Sequence, residues 1–281
     1  MKDIHWFPGH MNKAMNEMKE KVSLVDIVLI VLDARAPFSS FNKNLNSIIN
    51  NKRKIAVFSK YDLCDKDFFM QQIEQIKNKF DDVIYIDILN PSSKKLICNS
   101  INKVGEYKRQ KERARGMKPQ PIRVMVIGIP NVGKSSLINR LGSKKLAGVA
   151  NRPAFTRGDK WINVKDFILL DTPGVLPMSY EDKKVATILA LLGSIKEDIL
   201  PSTDLTIYLL DYFKKYYPNI LLNRYGINHI NDYYQVMKDI ALKRGIIINN
   251  EDYTKVENVL LKETRDGLIG SLSFEKDGIK I

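Results

Sequence analysis

The stretch "GIPNVGKSS", residues 128–136, constrains this chain more than any other part of its sequence. It fits the pattern G-x-x-x-x-G-K-S and lies between an apolar run at 124–128 and a helix-type segment at 134–141. This setting is that of a phosphate-binding loop (P-loop), in which backbone N–H groups and a helix N-terminus face the anion. The motif therefore predicts an α/β domain that binds a nucleotide.

The residue types of the P-loop indicate which groups would contact the phosphates. Lys134 is expected to reach the β- and γ-phosphates, and Ser135 to ligate Mg²⁺ with its hydroxyl. We predict that the loop contacts the nucleotide through Pro130, Asn131, Val132, Gly133, Lys134, Ser135 and Ser136. A nucleoside triphosphate with Mg²⁺ is the expected ligand.

Two later stretches fit a sensor for the γ-phosphate. "LLDTPG", residues 169–174, ends an apolar run about 40 residues after the P-loop. Asp171 is expected to hold Mg²⁺ through water, and the Gly174 N–H to meet the γ-phosphate. Between these stretches, "RPAFTRG" offers Thr156 as a residue that closes over Mg²⁺ and the nucleotide, and an ordinary loop threonine is the alternative.

The stretch "SKYDL", residues 59–63, is a near-match to the Asn-Lys-x-Asp motif with which GTPases read guanine. Asp62 can accept from guanine N1–H and the exocyclic amine, a pairing that adenine does not offer, while Lys60 lies along the base. Ser59 replaces the usual asparagine and loses the two-sided reach of its amide. We therefore predict selection of GTP and GDP over adenine nucleotides, with weakened guanine affinity.

The order of these motifs is unusual, because the guanine motif precedes the P-loop. A circular permutation gives this order and leaves the sheet intact, since native termini commonly lie close together at a surface. Ile- and Val-rich runs alternate with helix-type segments, which indicates a parallel sheet. The predicted strands are 27–33, 55–59, 83–88, 124–128, 161–164 and 167–171, and the predicted helices include 66–80 and 134–141.

The predicted fold class is α/β, a circularly permuted P-loop GTPase domain followed by a small all-α domain. The GTPase domain has a mostly parallel sheet with helices on both faces. We place an N-terminal segment with the "WFPGHM" motif at 1–24, the GTPase domain at 25–177 and a helical C-terminal domain at 178–281. The many tyrosines of the last part fit a helical core better than a platform for stacking bases.

The distribution of charge favours a polyanionic partner. The net charge is +13, and residues 1–177 carry 31 Lys and Arg against 17 Asp and Glu, whereas residues 178–281 carry 14 against 15. The segment 103–121 is strongly basic, and both a solvated helix face and an RNA contact fit it. If RNA is the partner, we expect much of the salt-sensitive affinity to come from the GTPase domain and residues 103–118.

His10, in the N-terminal motif, is the candidate catalytic residue. The residue after "DTPG" is Val175, where Ras-like proteins place a glutamine that orients water, and an apolar side chain cannot do this. The permutation would carry His10 beside this region, so it could position the attacking water. A loop histidine that caps the helix starting near Asn12 is the alternative.

Other features of the sequence exclude some classes of protein. Cys64 and Cys98 are too few and too far apart for a disulfide scaffold or a zinc site. No apolar run is long enough to cross a bilayer, and the first residues contain no signal-type core. The expected location is the cytoplasm, without membrane association.

Together, "WFPGHMNKA", "DARAPFSSFN" at 33–42, "GIPNVGKSSLINRL" and "DTPGVL" resemble the circularly permuted ribosome biogenesis GTPase A family over nearly the whole chain. The resemblance implies a GTPase that acts late in assembly of the large ribosomal subunit, is stimulated by that subunit and contacts ribosomal RNA through a helical C-terminal RNA-binding domain at 178–281. We expect the protein to be a monomer away from the subunit. It also implies that His10 replaces the missing glutamine, and that Asn131 helps to bind potassium. Ser59 and Ala154 depart from the family pattern.

Two alternative functions fit parts of the sequence. A permuted GTPase could serve the small subunit, but such proteins usually carry an added RNA-binding barrel or zinc module, and the sequence shows neither. A non-catalytic RNA-binding scaffold is favoured by Ser59 and Val175 and opposed by the intact Lys134, Ser135 and Asp171.

Overall fold

The computed structural model describes residues 9–49, 51–142, 161–176, 183–195 and 200–279, with the backbone alone for residues 9–11. The predicted catalytic residue His10 and the predicted switch residue Thr156 therefore have no described side chain. The described part of the chain forms two compact units, one before and one after residues 179–180. Each unit is considered by itself.

The first unit is built on a six-stranded sheet. Its strands are β1 (Ile27–Asp33), β2 (Arg53–Ser59), β3 (Asp82–Tyr85), β4 (Ile122–Gly128), β5 (Trp161–Val164) and β6 (Phe167–Asp171). They are arranged in the order β3-β2-β1-β4-β6-β5, and every neighbouring pair is parallel except β5 and β6. Because β1 lies inside this sheet and is buried on both faces, all seven of its residues are apolar or internally paired.

The helices of this unit are α1 (Gly9–Lys21), α2 (Asn46–Ile49), α3 (Lys66–Ile73), α4 (Ser92–Ala114) and α5 (Lys134–Leu141). One core cluster joins Met15 of α1, Ile73 of α3 and Ile30 of β1. On the opposite face α4 packs closely, since a Cβ at its Gly105 would lie 2.9 Å from Ile122 Cδ1. Helices therefore cover both faces, as the sequence predicts.

Several predicted bounds are wrong. Strands β2 and β4 each begin two residues earlier than predicted, β3 begins one residue earlier, and two elements end too early. The helix predicted over 66–80 stops at Ile73, because the backbone changes to i→i+3 hydrogen bonds and then forms a short 3₁₀ turn, Lys77–Lys79. The strand predicted over 83–88 stops at Tyr85, because the chain turns away from the sheet at Asp87, whose carbonyl accepts from the Asn90 N–H.

The second unit consists of helices in the part described. They are α6 (Lys183–Leu191), α7 (Ser202–Tyr216), α8 (Ile220–Tyr225), α9 (Tyr233–Arg244) and α10 (Thr254–Arg265). Tyr212 and Tyr225 are buried in the core, in line with the sequence expectation for the aromatic residues, whereas Tyr234 is exposed. The segment after α10 packs back on α7, where Tyr212 Oη donates to Ser273 O over 2.6 Å.

None of the helices in the described ranges is both long enough and apolar enough to span a membrane.

Candidate nucleotide-binding site

The P-loop connects β4 to α5 at the carboxyl edge of the parallel sheet, and its glycines permit close packing there. A Cβ at Gly128 would lie 2.5 Å from Val31 O, and one at Gly133 would lie 2.7 Å from Ile88 Cδ1. Gly133 also has φ +102°, in the left-handed region that favours glycine. The loop is thus held tightly between β1 and the turn that follows β3.

Lys134 begins α5 and is only 7% exposed. Its Nζ donates to the backbone carbonyl of Ile129 over 2.6 Å. Burial lowers the pKa of Lys134 to about 8, and the charge of Asp171 acts in the opposite direction. A buried ammonium with a lowered pKa is stabilised by an approaching anion, which is the behaviour expected of a phosphate-binding lysine.

The "DTPG" loop lies directly against the P-loop. Thr172 Oγ1 donates to Val126 O over 2.6 Å, and the Val175 N–H donates to Gly128 O over 3.2 Å. A Cβ at Gly174 would lie 2.8 Å from Pro130 N and 2.9 Å from Lys134 Nζ. The structure therefore places the predicted γ-phosphate sensor beside the predicted phosphate-binding lysine, where only glycine fits.

The guanine-type motif also reaches the P-loop, although 71 to 73 residues separate the contacting groups. Ser59 ends β2 fully buried, and its Oγ lies 2.7 Å from Val132 O and 3.0 Å from Leu32 O. Lys60 follows in a left-handed conformation, with φ +57°, and its Nζ donates to Asn131 O over 3.2 Å. The predicted residues for base and phosphate thus lie side by side.

Asp62 lies in a short 3₁₀ turn, Tyr61–Leu63, and is exposed. Partial burial of its carboxylate raises the pKa of Asp62, and the nearby charge of Asp87 raises it further. Behind this turn, Tyr61 stacks on Tyr85 with ring centroids 5.4 Å apart. The turn is consequently supported by the aromatic core, while the Asp62 side chain faces outward.

The sequence analysis missed the turn after β3, residues 86–90. Arg140 of α5 donates through Nε to Ile88 O over 2.9 Å and through Nη2 to Leu89 O. The turn also contacts Gly133 through Ile88, and Asp87 acts electrostatically on Asp62. Its position at the end of a parallel strand, on the same edge as the P-loop, was the available signal.

A buried ion pair was also missed, within the "DARAPFSSFN" stretch. Arg35 Nε donates to Asp33 Oδ1 and Arg35 Nη2 to Asp33 Oδ2, each over 3.0 Å, and Lys60 Nζ lies 3.0 Å from Asp33 Oδ2. Burial alone would raise the pKa of Asp33, but the charges and hydrogen bonds of Arg35 and Lys60 outweigh it and hold that pKa well below its usual range.

Two of the three residues predicted to ligate Mg²⁺ lie in the described part of the chain, and both carry oxygen atoms that Mg²⁺ can bind. Ser135 is exposed on the first turn of α5, and Asp171 ends β6 and is close enough to Lys134 to act on its charge. A hydroxyl, a carboxylate and phosphate oxygens form the oxygen-rich set that Mg²⁺ prefers together with waters. Ser136 is exposed beside Ser135. The third predicted ligand, Thr156, lies outside the described residues, and each role assigned to these residues stays a prediction.

Comparisons with known proteins give a consistent result. A family model described as a 50S ribosome-binding GTPase matches residues 123–250. The ribosome biogenesis GTPase A of Bacillus cereus is 38% identical over 276 residues, which cover 97% of this chain and 93% of that protein. The protein of the same name from Priestia megaterium is 39% identical over 277 residues, covering 97% and 96%.

Solved structures agree with the fold. The crystal structure of GNP-bound YlqF from T. maritima has a TM-score of 0.66 and 25% identity, covering 94% of this chain and 97% of that one. A GDP-bound structure of the same protein has a TM-score of 0.65 at 24% identity, covering 92% and 98%. The predicted α/β fold, a mostly parallel sheet followed by a helical region, is confirmed.

Proposed function

The chain belongs to the ribosome biogenesis GTPase A family, whose members are GTP-hydrolysing enzymes, and we propose that it acts late in assembly of the large ribosomal subunit. The match to a 50S ribosome-binding GTPase model supports the large subunit as the partner. The convergence of Ser59, Lys60, Lys134 and Gly174 at one edge of the sheet carries the GTP-binding part of the proposal. Hydrolysis is triggered on the subunit, in the cytoplasm, and the protein is a monomer away from it.

Different residues of the chain bind the phosphates and the base of GTP. Lys134 holds the β- and γ-phosphates, and the backbone of the P-loop from Pro130 to Ser136 surrounds them. Asp62 accepts from the N1–H and the exocyclic amine of guanine, which selects GTP and GDP over adenine nucleotides. Lys60, held by Asp33 and by Asn131 O, supports the base from the side.

Bound Mg²⁺ would neutralise charge that develops between the β- and γ-phosphates, and Ser135, Thr156 and Asp171 would hold it. Asn131 is the proposed contact for a potassium ion. In the described structure Asn131 has φ +58°, so its peptide carbonyl turns toward Lys60.

His10 is the proposed group that positions the attacking water. Val175 stands directly after "DTPG" and is fully buried, so it neither reaches water nor orients it. A histidine near neutral pH is able both to accept a hydrogen bond from water and to take its proton. Docking on the subunit would place His10 for this step.

We propose a division of the chain that follows the predicted domains. Residues 1–24 carry His10, residues 25–177 form a circularly permuted GTPase domain, and residues 178–281 contact ribosomal RNA. Two observations support the permutation: the P-loop follows the fourth strand of the sheet, and the family-model match begins at residue 123, after the guanine motif.

The basic end of α4 and the residues that follow it, to 118, form a second proposed RNA contact. Lys111, Arg113, Arg115 and Lys118 are all exposed, and Glu106 is the acidic partner of Arg113. Such contacts are salt-dependent because they release counterions. Replacing Lys111, Arg115 and Lys118 with neutral residues should therefore reduce the slope of log K for subunit binding against log salt concentration by about 0.7 to 0.9 per lost contact. An unchanged slope for subunit binding would contradict this assignment.

The central experiment measures GTP turnover in potassium buffer with no ribosome, with small subunits and with large subunits, with ATP as the control nucleotide. We expect selective stimulation by large subunits and a loss of about 100-fold in the stimulated rate for His10→Ala, with GTP binding retained. His229→Ala, in the helical unit, is the matched control. Stimulation by small subunits, or no turnover under any condition, would favour the alternative functions. Equal turnover in sodium and potassium would remove the role of potassium.

A further inference from the structure

The segment 33–42, "DARAPFSSFN", is a loop that is buried almost throughout. Apart from Phe38 and Phe41, which are half-buried, all of its residues are buried. Loops normally run over the surface, where water satisfies their backbone groups. Here the chain satisfies them itself: the Asp33 N–H donates to Ser40 Oγ over 3.1 Å, and Ser40 Oγ donates to Ala36 O over 2.7 Å.

The start of the segment holds the guanine-reading loop. The Asp33 carboxylate accepts hydrogen bonds from Nε and Nη2 of Arg35, and these two bonds fix the orientation of the carboxylate. Asp33 Oδ2 also pairs with Lys60 Nζ. Lys60 in turn donates to the P-loop carbonyl of Asn131. A buried ion pair contributes little net stability because of the cost of desolvation, so its placement against Lys60 suggests a positioning role.

The end of the segment holds the chain after the γ-phosphate sensor. Asn42 is 3% exposed, and its Nδ2 donates to Val175 O over 3.1 Å. The N–H of Val175 donates to Gly128 O, so both peptide groups that flank this residue are hydrogen-bonded. A Cβ at Gly174, directly before it, would lie 2.8 Å from Pro130 N and 2.9 Å from Lys134 Nζ, so the chain passes close to the P-loop here.

We propose that the segment 33–42 is a positioning element of the nucleotide site, which holds Lys60 at its start and the backbone after Gly174 at its end. The proposal rests on the proposed function, because it assumes that these two loops meet guanine and the γ-phosphate. It assigns Arg35 and Asn42 roles that act through other residues.

The two ends predict different defects. Loss of the Asn42 donor frees the Val175 carbonyl and lets the Gly174 backbone shift, so the protein should discriminate less well between a GTP analogue and GDP. Loss of the Arg35 fork lets Asp33 turn, so Lys60 and the adjoining Asp62 should discriminate less well between GTP and ITP, which lacks the exocyclic amine.

Asn42 needs two variants, because its Oδ1 also accepts from the Asn44 N–H over 3.0 Å. Asn42→Ala removes both contacts, whereas Asn42→Asp keeps the acceptor and removes the donor. A role confined to the local turn predicts that only Asn42→Ala is impaired. The positioning role predicts that, in both variants, the ratio of the Kd for GDP to the Kd for GNP, a non-hydrolysable GTP analogue, falls about five- to tenfold. Asn46→Ala, exposed on α2, is the matched control.

Arg35→Lys keeps the buried charge but not the two-armed geometry. We expect the GTP-to-ITP ratio to fall about fivefold, with the GNP-to-GDP ratio unchanged. Arg53→Lys, at an exposed ion pair with Asp81, is its control. Thermal unfolding of each variant verifies that the protein compared is folded.

The outcomes separate this inference from the proposed function. If the wild-type chain binds no guanine nucleotide, the proposed function fails and this inference fails with it. If the wild type binds and hydrolyses GTP but Asn42→Asp and Arg35→Lys keep both ratios, the proposed function stands and the positioning role is overturned.

Discussion

Two buried carboxylates, one in each unit, are held by similar chemistry and serve different ends. Asp33 is paired with Arg35 and Lys60, and Glu263 with Arg224 and Arg244. The partners of Glu263 come from α8 and α9 and join them to α10, so the cluster connects helices. The partners of Asp33 lie in loops at the edge of the sheet that carries the P-loop. Location, more than chemistry, decides whether such a cluster serves the fold or the site.

The two carboxylates also share a pKa direction. Burial would raise the pKa of Glu263, but hydrogen bonds from Arg224, Arg244 and Tyr225 lower it overall, and Asp33 behaves in the same way. A carboxyl group whose pKa is lowered by folding contributes stability above its unfolded pKa and loses it as the pH falls through the folded pKa. Both clusters therefore contribute less stability in acid, so pH alone does not separate their roles. Mutations are needed to separate them.

The largest effect is expected at Lys134, which belongs to the site alone. Lys134→Ala should reduce kcat/KM for GTP by about 10²- to 10³-fold, because the cation that we propose for the β- and γ-phosphates is lost. Stability should not fall, since burial lowers the pKa of Lys134 to about 8 and its charge is therefore unfavourable in the folded state below that pH. Steady-state kinetics and urea unfolding measure both. A variant that unfolds more easily would show that Lys134 also serves the fold.

At Asp33, the fold and the site should separate only in a double variant. Asp33→Asn leaves Arg35 buried without its carboxylate and should cost about 3 to 5 kcal/mol of unfolding free energy. Asp33→Leu with Arg35→Met removes both charges and should recover much of that stability, but guanine-nucleotide affinity should stay low because Lys60 has lost its partner. Urea unfolding and nucleotide titration measure the two. Recovery of affinity would mean that the pair serves the fold, as Glu263 does.

At Glu263, stability alone should respond. Glu263→Gln should cost about 1 to 3 kcal/mol, less than at Asp33, because the Arg224 and Arg244 side chains are 31% and 29% exposed and water screens them. Basal GTP turnover per folded molecule should be unchanged. Thermal unfolding and single-turnover hydrolysis test this. A slower hydrolysis step in the folded variant would break the contrast between the two clusters.

The smallest effect is a pH dependence that only the site should show. With the pKa of Lys134 at about 8 in the free protein, a bound phosphate would raise it, so nucleotide binding takes up a proton above about pH 8. Affinity should therefore fall with rising pH, by up to about tenfold per unit. Calorimetry in buffers of different ionisation enthalpy detects the proton. Glu263→Gln should keep this slope, whereas Lys134→Ala should abolish it.

The elements that sequence reasoning located best are those whose local signals agree. The bounds of β1, β5, β6 and α5 match the prediction, because buried Ile- and Val-rich runs and the P-loop glycines leave little choice of structure. The predicted strand 55–59 also puts the start of "SKYDL" at the carboxyl end of β2, on the edge of the sheet where the P-loop lies. The helix predicted through Phe80 failed because the turn after Ile73 depends on tertiary packing of Ile76.

The contacts that sequence reasoning missed are those made by side chains on backbone groups far away in the chain. Asn42 donates to a carbonyl 133 residues later, and Arg140 donates to one 52 residues earlier. Such bonds leave no periodicity and no composition signal. The Asp33–Arg35 pair is close in sequence, but nothing in "DAR" alone indicates that the pair is buried or that Lys60 completes it.

Ser59 has a consequence for the lifetime of the bound nucleotide. Its hydroxyl has one hydrogen and lies within reach of two carbonyl oxygens, Val132 O on the P-loop and Leu32 O on β1. When the P-loop moves, the hydrogen can turn to Leu32, so no buried donor is stranded, whereas an asparagine amide would lose a bond. We therefore expect faster GDP release from the wild type than from Ser59→Asn, measured by displacement of a fluorescent GDP. A hydroxyl that can exchange one carbonyl acceptor for the other would let the P-loop move without leaving a buried donor unpaired.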